Sequence, residues 1–263
     1  MIFLWLFILA VVTIVLVVIL LMRYLKEEER HYEEKNSMLK KQMTSNIAHE
    51  LRTPVTSIRG YLETLIACPD LPQEKKQAFL ERAYTQTLRL SELISDMALI
   101  SKMEEKSSNF AKTEVDLYDV SNEVYFEFED KIKAKGVTFV NDIYPGTTLM
   151  GNKILLYTIL RNMVENSLKY AGEGISLHLQ SFSPDSGFLT INYYDTGMGV
   201  PEEHLERIFE RFYRISDGRT RDDGGSGLGL SIVRNAIAFH DGTIKAYNRP
   251  EGGLQFIFTL SRK

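Results

Sequence analysis

Cysteine is nearly absent: Cys68 is the only one in 263 residues. An internal disulfide is therefore excluded, and so is a cysteine cluster for zinc. Histidine is scarce too, with five residues scattered along the chain and no metal-binding box among them. Charge of one sign is not in excess. Lys and Arg number 31 against 35 Asp and Glu, a balance that argues against a broad nucleic-acid surface. The N-terminus lacks the basic start, short apolar core and small-residue cleavage site of a signal peptide. The length suits one to two domains.

One long apolar run is present. Ile2 to Met22 has Thr13 as its only polar member, enough to cross a bilayer as a helix. Trp5 suits an interface position. Arg23, Lys26 and Arg30 follow the run, and no Lys or Arg precedes it. The positive-inside rule then places everything after Met22 in the cytoplasm. Residues 1–23 are thus expected to be a single transmembrane helix, with no second span or extracellular loop. Residues 24–35 read as a charged juxtamembrane helical linker. A weak heptad crosses it through Met22, Glu29, Asn36 and Met43, and through Leu25, Tyr32, Leu39 and Asn46. Polar residues at such positions cost stability but can fix the register of a parallel dimer.

The chain is organised around Ser45 to Pro54. Ile47, Leu51, Val55, Ile58, Leu62 and Leu65 recur at steps of three and four, one face of a helix. His49 falls roughly 160° from the centre of that stripe. Thr53 lies one turn on, and Glu50 is adjacent. Pro54 cannot donate to the Glu50 carbonyl, so a bend is expected there. A solvent-facing imidazole can act as a nucleophile, and a neighbouring carboxylate can orient it or take its proton. Cys68 to Pro72 reads as a turn. A second stripe follows at Phe79, Ala83, Gln86, Leu90, Leu93, Met97 and Ile100. Residues 36–103 therefore form a helical hairpin. One hairpin buries little, whereas two make a four-helix bundle, so a homodimer is expected.

Polar Ser101 to Asn109 marks a boundary, and residues 110–263 read as mixed α+β. Strands are expected near 137–143, 176–182, 188–195, 243–247 and 254–260, and helices near 118–135, 153–171 and 227–240. Without strict βαβ alternation, a two-layer sandwich is favoured. On the 153–171 helix, Leu156, Leu160, Met163 and Val164 define the buried face. Asn162, Asn166 and Lys169 cluster roughly opposite. Asn is not a helix-interior residue by preference, and its amide oxygen suits hydrated Mg²⁺. Asp195-Thr196-Gly197-Met198-Gly199 ends a strand. Its glycines allow positive φ and close approach of a flat ligand, and Asp195 can accept from an exocyclic amine such as that of adenine. Gly224 to Leu230 opens a helix with a glycine-rich backbone suited to phosphate. Polar Asp217 to Asp223 before it reads as a lid.

These residues resemble a bacterial sensor histidine kinase of a two-component system. His49-Glu50-Leu51-Arg52-Thr53-Pro54 is similar to the H-box of that family, Asn162 to Tyr170 to the N-box and Asp195 to Gly199 to the G1 box. Ile208 to Arg214 and Gly225 to Gly229 resemble its F- and G2 boxes. The order and spacing are those of the family over residues 36–263. The resemblance implies a Bergerat-type ATPase domain at 110–263 and a phosphotransfer hairpin at 36–103, anchored in the bacterial inner membrane. It implies that His49 accepts phosphate with Glu50 as base or orienting partner, and that Thr53 serves dephosphorylation of the partner. Asn166 would ligate Mg²⁺ with Asn162 alongside, Lys169 and Tyr170 would line ATP, and Asp195 would read adenine. Gly197, Gly199, Gly225, Gly227 and Gly229 would shape pocket and lid, and Arg214 would meet the γ-phosphate. The implied partner is the receiver domain of a response regulator, whose Asp takes the phosphoryl group. Competing readings are a regulator phosphatase and a non-catalytic dimeric scaffold. Two departures stand out: Asn152 occupies a position where the family often has Asp, and no HAMP-like signalling domain separates Met22 from the hairpin.

Overall fold

The computed structural model describes residues 2–105, 110–182, 187–215 and 225–263, with backbone alone at 2–20, 29, 31–37 and 39–42. The chain divides into two units, 1–56 and 57–263. Helix α1 (Ile2–Ala67) begins in the first and ends in the second. It runs on through Pro54, so the missing donor does not end it. Among the described residues no helix is long and apolar enough to cross a membrane. The side chains of the apolar run before Leu21 lie outside that description, as does most of the heptad in the linker.

In the second unit, α1 ends at the Cys68–Pro72 turn and α2 (Gln73–Glu104) follows. Tyr61 stacks on Phe79 at 5.9 Å across the turn. Ala83, Leu93 and Ile100 are buried, as their stripe requires. A second stripe at Leu80, Tyr84 and Leu88 stays exposed, as do Leu62 and Ile66 on α1.

The α+β part contains β1 (Thr113–Asp116), α3 (Leu117–Ala134), β2 (Thr138–Asp142), β3 (Thr148–Gly151) and α4 (Lys153–Tyr170). It continues with β4 (Ser176–Phe182), β5 (Phe188–Asp195), α5 (Gly229–Phe239), β6 (Ile244–Asn248) and β7 (Leu254–Ser261). Five strands form one sheet in the order β2-β4-β5-β7-β6, parallel only between β2 and β4. The short β1 and β3 pair antiparallel in a separate ribbon that the periodicity did not reveal. Strand alternation builds the core: Leu189 pairs with Leu260, Ile191 with Phe258 and Tyr193 with Phe256, all buried. Helices α3, α4 and α5 contribute Val124, Leu160 and Ile237 to the same core. On the other side of the sheet, amides form a ladder. Gln180 donates to Asp142, Asn192 to Gln180 and Gln255 to Asn192.

Helix starts are fixed by side chains. Asp116 accepts from Tyr118 N–H at 3.0 Å to open α3, and Asn152 accepts from Leu155 N–H at 3.1 Å to open α4. Asn152 also donates through Nδ2 to the Ala111 carbonyl, 3.0 Å away. An Asp there could cap the helix but could not make that second bond, which gives the unexpected amide a structural reason.

Candidate functional site

In the first unit His49 stands exposed on α1, with Glu50 Oε1 3.9 Å from its Nδ1. The carboxylate is too far for a hydrogen bond but flanks one ring nitrogen, and the side chain as a whole is exposed. Thr53 Oγ1 donates back to the His49 carbonyl at 3.3 Å. The expected orientation of His49 away from the apolar stripe therefore holds. Ile47 and Leu51 on that stripe are half-buried, while Val55 is exposed.

In the second unit, four of the sequence motifs meet. Asp195, at the end of β5, is 2% exposed. Its Oδ1 accepts from Gly197 N–H at 3.0 Å and from Leu254 N–H at 3.1 Å. Its Oδ2 accepts from the Ser167 hydroxyl at 2.9 Å. A carboxylate offers about four acceptor positions; three are taken by described residues, and one on Oδ2 is left for a ligand. Tyr193 Oη lies 3.0 Å from Ser167 Oγ and 3.2 Å from the Met163 carbonyl. Burial holds its phenol far above the usual range, so it stays neutral.

Ser167 and Tyr193 were not singled out by sequence motif. The only trace is a serine on the buried face of α4, where an aliphatic residue would be expected. Gly253 was also missed. Its φ is +100°, and a Cβ there would lie 1.9 Å from the Asp195 carbonyl oxygen. The β6–β7 turn thus closes directly on the end of β5.

The remaining motifs gather around α4. A Cβ on Gly229 would meet Asn162 Oδ1 at 2.6 Å, and one on Gly225 would meet Tyr170 Oη at 3.0 Å. One on Gly197 would strike the Ala171 carbonyl at 2.3 Å. The Phe212 N–H donates to the Gly227 carbonyl at 2.9 Å, tying the aromatic segment to the glycine-rich turn. Helix α5 begins at Gly229 with no side-chain cap, so its first N–H groups and its positive end are offered to an anion.

Asn166 is half-buried and its amide has no protein partner among the described residues. Lys169 is not joined to Asn162 and Asn166 as the spacing suggested. Its ammonium pairs with Glu165 Oε1 at 2.8 Å, and Glu165 also meets Arg161 at 3.3 Å. Burial of the Glu165 carboxyl works upward, but these two cations hold it below the usual range. Arg214 is exposed. In the aromatic segment a short 3₁₀ turn, Arg207–Phe209, replaces a regular helix and buries Ile208 and Phe209. The lid at 217–223, and Gly224, lie outside the described residues.

Helix α2 packs against this site. Asp96 lies within electrostatic reach of Arg161 and the Ser226 hydroxyl, and Arg211 pairs with Glu104. Burial is the main cause that pushes the Asp96 carboxyl up to about 6.

Comparison with known proteins places both parts. Residues 39–106 match the His Kinase A (phospho-acceptor) domain, and 151–263 match the histidine kinase-, DNA gyrase B- and HSP90-like ATPase. Sensor histidine kinase YcbM of Bacillus subtilis (strain 168) is 30% identical over 224 residues, which are 84% of this chain and 71% of that protein. The chain belongs to the sensor histidine kinases. It is an ATP-dependent protein-histidine kinase with an α+β ATPase domain. Sensor protein kinase WalK of Staphylococcus aureus is 31% identical over 84% of this chain, and the chain spans only 53% of its length. Histidine kinase ThkA, solved in complex with response regulator TrrA, is 29% identical with a TM-score of 0.68. That match covers 91% of this chain and 66% of ThkA.

Proposed function

We propose that this kinase phosphorylates its own His49 from Mg²⁺·ATP and passes the phosphoryl group to an Asp on the receiver domain of a response regulator. The observation that carries the reading is Asp195. It is a buried carboxylate clamped by two backbone N–H groups and one hydroxyl, with one acceptor position left. That position matches the exocyclic amine of adenine. The uncapped start of α5 and its glycine turn suit the phosphates.

Asn166 fits a Mg²⁺ site: its amide oxygen is a hard donor, half-buried and without a protein partner among the described residues. Bound there, Mg²⁺ would neutralise phosphate charge. Asn162 sits beside Gly229, and Tyr170 beside Gly225, where both can line the nucleotide. Lys169, held by Glu165, and exposed Arg214 supply cations at the edge. At the other end of the reaction His49 Nε2 attacks the γ-phosphorus and ADP leaves. Glu50, flanking Nδ1, orients the ring and takes its proton. Catalysis in such a transfer is chiefly positioning and charge neutralisation.

Three further parts of the proposal have their own support. A receiver-domain partner is supported by the likeness to ThkA, which was solved with its regulator. A homodimer is supported by the exposed Leu80, Tyr84 and Leu88 stripe. Tethering in the bacterial inner membrane by residues 2–22, with the rest cytoplasmic, is supported by the apolar run and its one-sided charges. Thr53 is proposed to orient water for dephosphorylation of the regulator. Thr53→Ala should spare autophosphorylation and slow that hydrolysis.

Two complementary variants test the kinase. His49→Gln and Asn166→Ala homodimers should each fail to take label from γ-labelled ATP. Mixing them restores label, on the Asn166→Ala chain alone, when transfer crosses between chains. The mixture stays unlabelled when transfer is within a chain. Label on a His49→Gln homodimer would overturn the assignment of the acceptor.

A further inference from the structure

The segment after Asp195 must hold its shape for a flat base to be read. Asp195 is fixed through Gly197 and Leu254. Thr196 is tied to the start of β4: its N–H donates to the Ser176 carbonyl at 3.1 Å, and its Oγ1 accepts from Ser176 N–H at 2.9 Å. Met198 then projects into solvent, 67% exposed. Gly199 turns the chain at φ +70°, and Val200 returns to pack against the core.

The return is held by one side chain from another strand. Asn248, last residue of β6, accepts from Val200 N–H at 2.9 Å through Oδ1 and donates from Nδ2 to the Val200 carbonyl at 2.6 Å. The amide satisfies both backbone groups of Val200, as a neighbouring strand would. It sits so close over the turn that a Cβ on Gly199 would lie 2.7 Å from Asn248 Oδ1. Gly199 is therefore needed both for its positive φ and for the seat of this amide. The turn that begins at Asn248 also supplies Gly253 and Leu254, which press on Asp195. One hairpin thus braces both ends of the 195–200 segment.

We propose that Asn248 is a positioning residue for the nucleotide site, fixing the Gly197–Val200 wall against which the base lies. This rests on the reading of Asp195 as the adenine acceptor. Few side chains can replace it. Asp keeps the acceptor but turns a second acceptor on the Val200 carbonyl, and Leu has neither function. Both bonds are exposed, so the effect is graded rather than absolute.

The test measures ATP affinity, autophosphorylation at saturating ATP and nucleotide-free thermal midpoint on Asn248→Leu and Asn248→Asp, at a temperature where both are folded. Asn248→Leu should weaken ATP binding by about three- to tenfold while the saturated rate stays near wild type. Asn248→Asp should fall between Leu and wild type, because one bond is kept. The preference for ATP over GTP should narrow in both, a readout that a purely structural residue would not move. Unchanged ATP affinity in folded Asn248→Leu overturns the proposal. So does a loss of affinity with base preference intact. Asp195→Asn serves as the control: if that variant binds ATP as wild type does, the adenine reading fails, whatever Asn248 does.

Discussion

The Ser226 hydroxyl, in the glycine-rich turn at the start of α5, faces the carboxylate of Asp96 on α2 and favours its charged form. A polar contact thus links the glycine-rich turn to the hairpin helix. Arg161, from the helix that carries Asn162 and Asn166, faces the same carboxylate.

Asp96 should make the stability of this unit fall as pH rises. Burial lifts its carboxyl from 3.8 to about 6; Glu92 and Glu165 add to this, while Arg161 and Ser226 oppose it. The folded state then keeps a proton that the unfolded chain releases, so stability declines from about pH 4 to just above 6 and is level beyond. Asp96→Asn should remove that decline. Thermal midpoints at pH 4.5, 5.5 and 7 for both proteins give the answer by difference. Parallel curves would show that Asp96 is not the group responsible.

His240 acts with the opposite sign. Its Nε2 accepts from Asn152 N–H at 3.0 Å, and its Nδ1 faces the Ala236 carbonyl at 2.7 Å. Only the neutral ring, with its proton on Nδ1, can make both bonds. Burial first, then Lys112, holds the imidazole below 6.5. The stability it confers is present above pH 6.5 and is lost as pH falls through the lower folded value. His240→Gln should cost about 1–2 kcal/mol at pH 7.5 and flatten the acid limb between pH 7 and 5. Denaturant titrations across that range measure both.

Gly227→Val should cripple nucleotide binding. Gly227 has φ +70°, and a Cβ there would lie 2.9 Å from the Phe212 backbone. A β-branched residue resists that conformation. The turn must shift, and the N–H groups offered to phosphate shift with it. ATP affinity by calorimetry should fall at least tenfold with the dimer intact. An unchanged affinity would mean that the loop is only a turn.

Paired charges on the exposed stripe should split the dimer. Leu80, Tyr84 and Leu88 repeat every four residues on α2 and are 49%, 65% and 49% exposed in the single chain. Burying them between two copies is the driving force for a bundle. Leu80→Asp with Leu88→Asp should convert dimer to monomer in sedimentation velocity at micromolar concentration. A surviving dimer would place the interface elsewhere.

Much of the architecture was legible because local rules govern it. The 3.6-residue repeat marked α4 by Leu156, Leu160, Met163 and Val164, and the structure starts it at Lys153 as expected. Alternation marked β4 and β5 to the residue. The glycine and Asn motifs, Asp195 and His49 could be picked out because each residue type is unusual for its local setting. The short β1 and β3 escaped, since four residues carry too little alternation and their stability comes from pairing with each other.

What only the tertiary structure decided is which distant groups share a site. Ser167 reaches Asp195 across 28 residues, and Tyr193 reaches Ser167 across 26, because β5 lies under α4. Asn248 clamps Val200 across 48 residues, and Asp96 faces Ser226 from α2. Lys169 turned to Glu165, one helical turn away, where spacing alone allowed it to join Asn162 and Asn166. Periodicity reports which face of an element is apolar. Hydrogen bonds and ion pairs depend on which polar atoms come within about 3 Å, and that is set by the packing of elements that the chain separates by tens of residues.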